Sequence, residues 1–220
     1  MSRQAILASV RRSLAEARLP SPAAATSVPA PEVVDPAAEF RRAVEALGGR
    51  VSEPGPQSAR DTVLRCVLEA GGARGGMIAW SAAELPIPDL EAALAAAGVE
   101  RLETQLPAGP GPRAQRLAEL ERAPVGLTGA VAAAAETGTL VLNSGVGRPR
   151  LAWLLPPHHI ALVLRSRLHA TLEAVLAAHP ELCRDAEVAF VSGPSRTADI
   201  ELTLTRGVHG PKELEVVLLP

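Results

Sequence analysis

The sequence predicts an α/β domain built on a largely parallel sheet, and three observations carry that expectation. Between residues 37 and 122, segments with apolar positions at helical spacing alternate with short apolar runs. The helical segments end at Gly48-Gly49, Gly71-Gly72 and Gly98, where a left-handed cap is expected. At 220 residues the chain is long enough to bury a proper core, roughly 70% of its unfolded surface. Ala, Val and Leu must supply that core, because aromatic residues make up only 2% of the sequence.

Each element follows from its own pattern. "MSRQAILASVRRSLAEARLP" places Ile6, Val10, Leu14 and Ala17 in one stripe, so residues 1–19 are expected to form a helix. It is also Arg-rich with one acid, as an organelle transit peptide is, but the ordered stripe favours a docking helix of the mature protein. Residues 20–36 carry five prolines without periodicity and read as a linker. The α/β domain is expected over 37–220. It begins with a helix at 37–47, a short strand at 50–52 and a helix at 60–70. "GMIAW" (76–80) follows as a buried strand, then a helix at 90–97 and a weak strand at 99–102. A loop at 107–112 leads to a helix at 114–122. In the second half, strands are expected at 139–142, 159–164, 188–191 and 215–219, with a helix at 168–178. Ile200, Leu202 and Leu204 alternate with polar residues, which favours a half-exposed strand.

Composition excludes several classes. The net charge of −2 argues against a sequence-independent nucleic-acid binder. No apolar run approaches the ~20 residues of a membrane span. Cys66 and Cys183 are isolated, so the chain encodes neither a zinc site nor an iron–sulfur cluster, and no metal site or cofactor is expected in it. No secretory apolar region signals an oxidising compartment, so two reduced thiols are expected. G-x-S-x-G, Walker A and G-x-G-x-x-G motifs are all absent.

Polar chemistry concentrates in three turns that border strands: "AETGT" (135–139), "SGPSRTAD" (192–199) and "GVHGPK" (207–212). Because ligands in open α/β sheets bind beyond the carboxyl ends of strands, these turns are the candidate site. In the middle turn Gly193 permits close backbone approach, Ser195 and Thr197 offer hydroxyls, and Arg196 can hold a carboxylate through two parallel hydrogen bonds. The residues equally allow Ser195 and Thr197 to satisfy their own turn while Arg196 pairs with a surface acid. Glu136, flanked by small apolar residues, can serve as base, nucleophile or Arg partner, or can be a surface Glu. His209 can be a general acid–base or a turn His bonded to backbone. His158-His159 lacks the context of a metal site.

"GLTGAVAAAAETGTLVL", "LLPPHHIALV", "FVSGPSRTADIE" and "GVHGPKELEVVLL" together resemble the LUD domain of the lactate-utilisation protein C family, over about residues 36 to 219. The motifs E-T-G-T, G-P-S-[RK]-T-A-D-I-E and G-x-H-G-P occur in the family's order and spacing. By position the pattern falls on Glu136, Thr137, Gly138 and Thr139, on His159, on Gly193 to Glu201 including Asp199, and on Gly207, His209, Gly210 and Pro211. His158 and Cys183 match nothing in it. The resemblance implies a NagB/RpiA/CoA-transferase-like, Rossmann-type layered sheet. It also implies a part in oxidising L-lactate to pyruvate in a bacterial cytoplasm, beside two companion proteins that carry iron–sulfur clusters. Larger LUD proteins hold clusters in Cys-rich segments that this chain lacks, so electron transfer would fall to a partner.

The leading expectation is therefore a non-redox subunit that binds lactate or pyruvate, or organises its partners. Its catalytic candidates are Glu136 and His209. Its substrate-binding candidates are Thr137, Gly138, Thr139, Gly193, Ser195, Arg196, Thr197 and Asp199. Two alternatives stand beside it. One is a stand-alone transferase or isomerase using Glu136, although nothing here resembles the glycine-rich CoA loop. The other is an interaction protein whose polar turns are architectural.

Overall fold

Short-range rules start and stop the helices in a computed structural model that describes residues 2–17, 33–55, 58–197, 205–206 and 210–220. Helix α1 (Arg3–Glu16) is capped by Ser2, whose hydroxyl accepts from the Ala5 amide at 3.3 Å. Helix α2 (Pro36–Ala46) begins with a proline, and Asp35 accepts from the amides of Ala37 and Ala38. It ends where Gly48 adopts φ +84°. Strand β1 (Arg50–Ser52) follows, then α3 (Ala59–Glu69), capped by Ser58, and the single turn α4 (Gly72–Gly75). Next come β2 (Met77–Ala79), α5 (Leu90–Ala96), α6 (Pro110–Leu120), β3 (Val125–Gly129), β4 (Ala132–Ala134) and β5 (Thr139–Asn143). The chain continues through α7 (Leu151–Leu154), β6 (His158–Leu164), β7 (Leu168–His169), α8 (Leu172–Ala178) and β8 (Val188–Val191). The two-residue strands β9 (Arg196–Thr197) and β10 (Thr205–Arg206) precede β11 (Glu213–Leu219).

Two sheets face one another. The first is wholly parallel, in the order β1-β11-β6-β3-β2. The second, β7-β4-β5-β8, is mostly antiparallel. Alternation along the strands assigns side chains to layers. Leu214, Val216 and Leu218 of β11 meet Ala133, Leu140 and Leu142 of the second sheet in a core shared with α2 and α7. Val217 and Leu219 point the other way, into a core with Val63 and Val67 of α3 and Leu94 of α5. Ala132, Ala134 and Val141 pack beneath Val175 of α8. The α/β layered expectation is therefore borne out. Each fully buried Leu or Val contributes about 1.5–3 kcal/mol, which lets this aromatic-poor chain build its layers from aliphatic side chains.

Four local expectations need correction. Residues 99–102 form no strand; Arg101 makes only an isolated bridge to Met77. The segment 168–178 is not one helix: Leu168 and His169 pair with Ala133 and Ala134, and the helix starts only after the Thr171 cap. Sheet pairing overrides helical spacing there. The helix expected at 114–122 begins earlier, at Pro110, because proline fits a first turn. Strands β3 and β4 are additions to the expected elements: the two glycines of "VGLTG" and the alanines of "AAA" weaken the local strand signal, and burial on both sides makes these segments strands. The alternating strand expected at 200–204 lies outside the described residues.

Candidate functional site

Strands β6 and β11 start side by side, with Glu213 opposite His158. The turns entering them are therefore neighbours, and the Lys212 and Glu213 amides both donate to the Pro157 carbonyl, at 2.8 and 3.1 Å. The Ser195 amide donates to the Pro211 carbonyl at 2.8 Å, which draws the 192–196 turn to the same place. Thr139 Oγ1 lies 2.7 Å from both Thr137 Oγ1 and Ser192 Oγ, which links the E-T-G-T turn to it. The three motif turns thus converge, as one site requires. They do so at the amino ends of β6 and β11 rather than at the carboxyl ends expected from the sequence.

A cavity of about 500 Å³ opens there, lined in part by Trp153, His159, Ser192, Gly193, Ser195 and Gly210. His159 and Glu187 are its titratable lining residues. Consecutive strand residues point to opposite faces, so His159 enters this layer while His158 enters the other. The His159 Nε2 sits 2.9 Å from Thr128 Oγ1, and the ring is 1% exposed. Burial, reinforced by His158, pushes its pKa down to about 3, so it stays neutral. The family resemblance falls on His159, but the residues alone give it no role, since a strand His is not distinguishable from a core residue until its face is known.

The other candidates are placed less directly. Gly138 has φ +60°, and a Cβ on it would lie 2.7 Å from the Val44 amide nitrogen; Gly193 has φ +87°, and its Cβ would lie 2.8 Å from Leu47 Cβ. The close approach that these glycines permit is that of α2. Arg196 is exposed and does not line the cavity; its Nη2 donates to the Leu47 carbonyl at the end of α2. Glu136 is also exposed and outside the cavity lining, and its Oε1 accepts from the Leu172 amide at 3.1 Å at the start of α8. Thr197 contributes strand backbone opposite Thr205. Asp199 and His209 lie outside the described residues.

On the opposite face, His158 reaches a carboxylate cluster that the sequence did not signal. Glu215, 5% exposed, accepts from Ser52 Oγ at 2.7 Å and Cys66 Sγ at 3.2 Å, with Arg50 at 3.4 Å. His158 Nε2 stands 3.6 Å from its Oε2. His158 contributes most to holding the Glu215 carboxyl down, to about 2, with the Ser52 and Cys66 donors adding. Burial and the adjacent carboxylate push the Cys66 thiol up to about 12, which makes it an inert buried donor.

An α/β layered domain with family motifs gathered about a buried neutral His is the class that fold and site define. The LUD domain description matches residues 37–219, and the chain belongs to that family. It is similar to a protein named lactate utilization protein C from Deinococcus radiodurans, 38% identical over 104 residues, covering 46% of this chain and 49% of that protein. A protein of the same name from Halalkalibacterium halodurans is 43% identical over 103 residues, covering 44% and 45%. An uncharacterized protein of Neisseria meningitidis is 38% identical over 96 residues, covering 43% and 41%. The chain spans about half the length of the curated relatives it matches. A crystal structure of a DUF162 family protein from Deinococcus radiodurans shares the fold, with a TM-score of 0.60 at 23% identity, over 84% of this chain and 96% of that one.

Proposed function

We propose that this chain is a non-redox component of a bacterial lactate-utilisation system, acting in the cytoplasm with iron–sulfur partner proteins. Converting L-lactate to pyruvate releases two electrons and two protons. Ordinary side chains accept protons but not electron pairs, and two isolated cysteines are too few to ligate a cluster. The electrons are therefore assigned to partners. The observation that carries the reading is the cavity that holds neutral His159, which two of the motif turns line and to which the third is tied through the Thr139–Ser192 hydrogen bond. A buried neutral imidazole beside hydroxyl and backbone donors suits binding of a small hydroxy- or keto-acid. Membership of the LUD family and the names of its relatives support the lactate assignment. No helix among the described residues is long and apolar enough to cross a membrane.

The test is genetic and biochemical. Deletion should abolish growth on L-lactate, the isolated chain should reduce no artificial dye, and activity should appear only with partners that co-purify. Dye reduction by the isolated, cofactor-free chain overturns the reading. A second, architectural reading is favoured by the contacts of Gly138, Gly193 and Arg196 with α2. Calorimetric titration of wild type and His159→Gln with lactate and pyruvate separates the two, since binding that the substitution leaves unchanged is not made in the motif cavity. A transferase using Glu136 is less well supported, because that carboxylate is bonded to the start of α8.

A further inference from the structure

The carboxyl ends of the parallel strands hold a second cavity that no motif marks. Trp80 follows β2, Val131 lies just beyond β3, and Ser166 and Arg167 follow β6; all four line a space of about 690 Å³. Asn143 and His169, at the ends of β5 and β7 in the facing sheet, line it too, together with His179 and Asp185. Its volume is ordinary for a small-molecule site, and the ends of parallel strands are where such sites form.

Its polar groups are incompletely matched. Arg148 is satisfied, donating to Glu84 at 2.7 Å and to Asn143 at 2.6 Å while lying 5.5 Å over the Trp80 ring. Arg167 is different: its Nη1 donates to the Ala130 carbonyl at 2.6 Å, which fixes the guanidinium without neutralising it. It forms no ion pair among the described residues. Asp185 accepts from Asn143 Nδ2 at 2.7 Å and likewise meets no cation among them. Trp80 is 2% exposed, and its Nε1–H has no acceptor among the described residues. A buried donor without a partner costs about 1–3 kcal/mol, so native structures rarely leave one unless something else supplies the acceptor. His169 stacks edge-on to His179 with ring centres 5.5 Å apart, and burial, with His179, holds its pKa low. It therefore borders the cavity as a neutral hydrogen-bonding group.

We propose that this cavity binds a small organic acid bearing a hydroxyl or ammonium group beside its carboxylate. Arg167 and the Trp80 indole take the carboxylate, and Asp185 accepts from the second group. One fixed cation, one spare N–H and one carboxylate without a cation are the complement of such a molecule. The site lies at the opposite end of the parallel sheet from the motif cavity and does not rest on the lactate reading.

The two tryptophans of the chain give two indole signals in a spectrum of the 15N-labelled full-length protein, and Trp80→Phe assigns them. The probes are L-lactate, L-alanine, propionate and inorganic phosphate. The expected result is a saturable shift of the Trp80 signal with lactate or alanine, at least tenfold tighter than with propionate or phosphate. Whichever acid binds decides between hydroxyl and ammonium. Arg167→Lys should weaken that binding at least tenfold, because Lys cannot reproduce the planar contact. Asp185→Ala should erase the preference over propionate, and it carries the test if Arg167→Lys proves unstable. No saturable shift with either acid, tighter binding of phosphate or propionate, or wild-type affinity and selectivity in the stable variants overturns the proposal.

Discussion

The two ends of the parallel sheet treat their polar groups in opposite ways. At the amino end, where the motif turns meet, hydroxyls and amides are largely bonded to one another: Thr137 and Ser192 to Thr139, Ser195 to Pro211, Lys212 to Pro157. Glycines there are pressed against α2, and Arg196 holds the end of that helix. At the carboxyl end no motif stands out, yet Arg167, Asp185 and the Trp80 indole retain bonding capacity. Gly-, Ser- and Thr-rich turns are what two sheets and a helix need in order to meet closely without orphaned backbone. Dense motif and ligand capacity are therefore separate properties, and His159 is the feature that gives the amino end both.

Breaking the amino end outright should produce the largest effect. A Cβ on Gly126 would sit 1.7 Å from the Ala152 carbonyl oxygen. Gly126→Ala must displace α7, whose Trp153 and Leu154 wall the motif cavity. It should cost more than about 4 kcal/mol in chemical denaturation, the range reserved for gross steric or packing faults. Stability close to wild type would mean that α7 slides freely and that the cavity wall is soft.

Gly138→Ala and Gly193→Ala test whether α2 is seated on the motif turns. Each combines a left-handed backbone with a clash, so each should lose about 2–3 kcal/mol. Because both press on α2, their effects should couple in the double variant. Simple additivity would show that the two contacts are independent.

Acid should weaken the amino end through His159. The folded ring titrates near 3 and the unfolded ring near 6.5. Below pH 6.5 the unfolded chain takes up a proton that the folded chain refuses, so stability falls as pH falls toward 3. The slope is up to about 1.4 kcal/mol per pH unit. Glu215 adds a loss of the same sign as pH falls from 4.5 toward about 2. His159→Gln should flatten the profile between pH 6.5 and 4.5 in urea titrations, while an unchanged slope would assign the acid sensitivity elsewhere.

Arg196→Lys gives a smaller, sharper comparison. Losing the bond to the Leu47 carbonyl should cost about 1 kcal/mol of stability and leave lactate affinity unchanged if the residue only caps α2. A large loss of affinity at constant melting temperature would restore the carboxylate clamp. Glu136→Gln should be the mildest, under about 0.5 kcal/mol, because an amide oxygen can still accept from Leu172. If it nevertheless abolishes partner-dependent lactate oxidation, Glu136 acts in the chemistry rather than only at the start of α8.

Sequence alone determined the α/β class, the glycine-stopped helices, the strands expected at 50–52, 76–80, 139–142, 159–164, 188–191 and 215–219 to within a few residues at their ends, and the three motif turns. Those features depend on short-range rules: caps, turn residues and apolar runs of characteristic length. Tertiary structure alone decided that 168–169 is a strand, that "AAA" at 132–134 is one too, and that His158 and His159 serve different faces. It also decided that Gly193 admits Leu47, that Arg196 meets a carbonyl, and that Arg167 and Trp80 stand together beyond the parallel strands. Each of those outcomes depends on which distant residue lies opposite, Ala133 for Leu168, Glu215 for His158, Leu47 for Gly193. Such partners are fixed by sheet register and layer packing, which no local window of sequence contains.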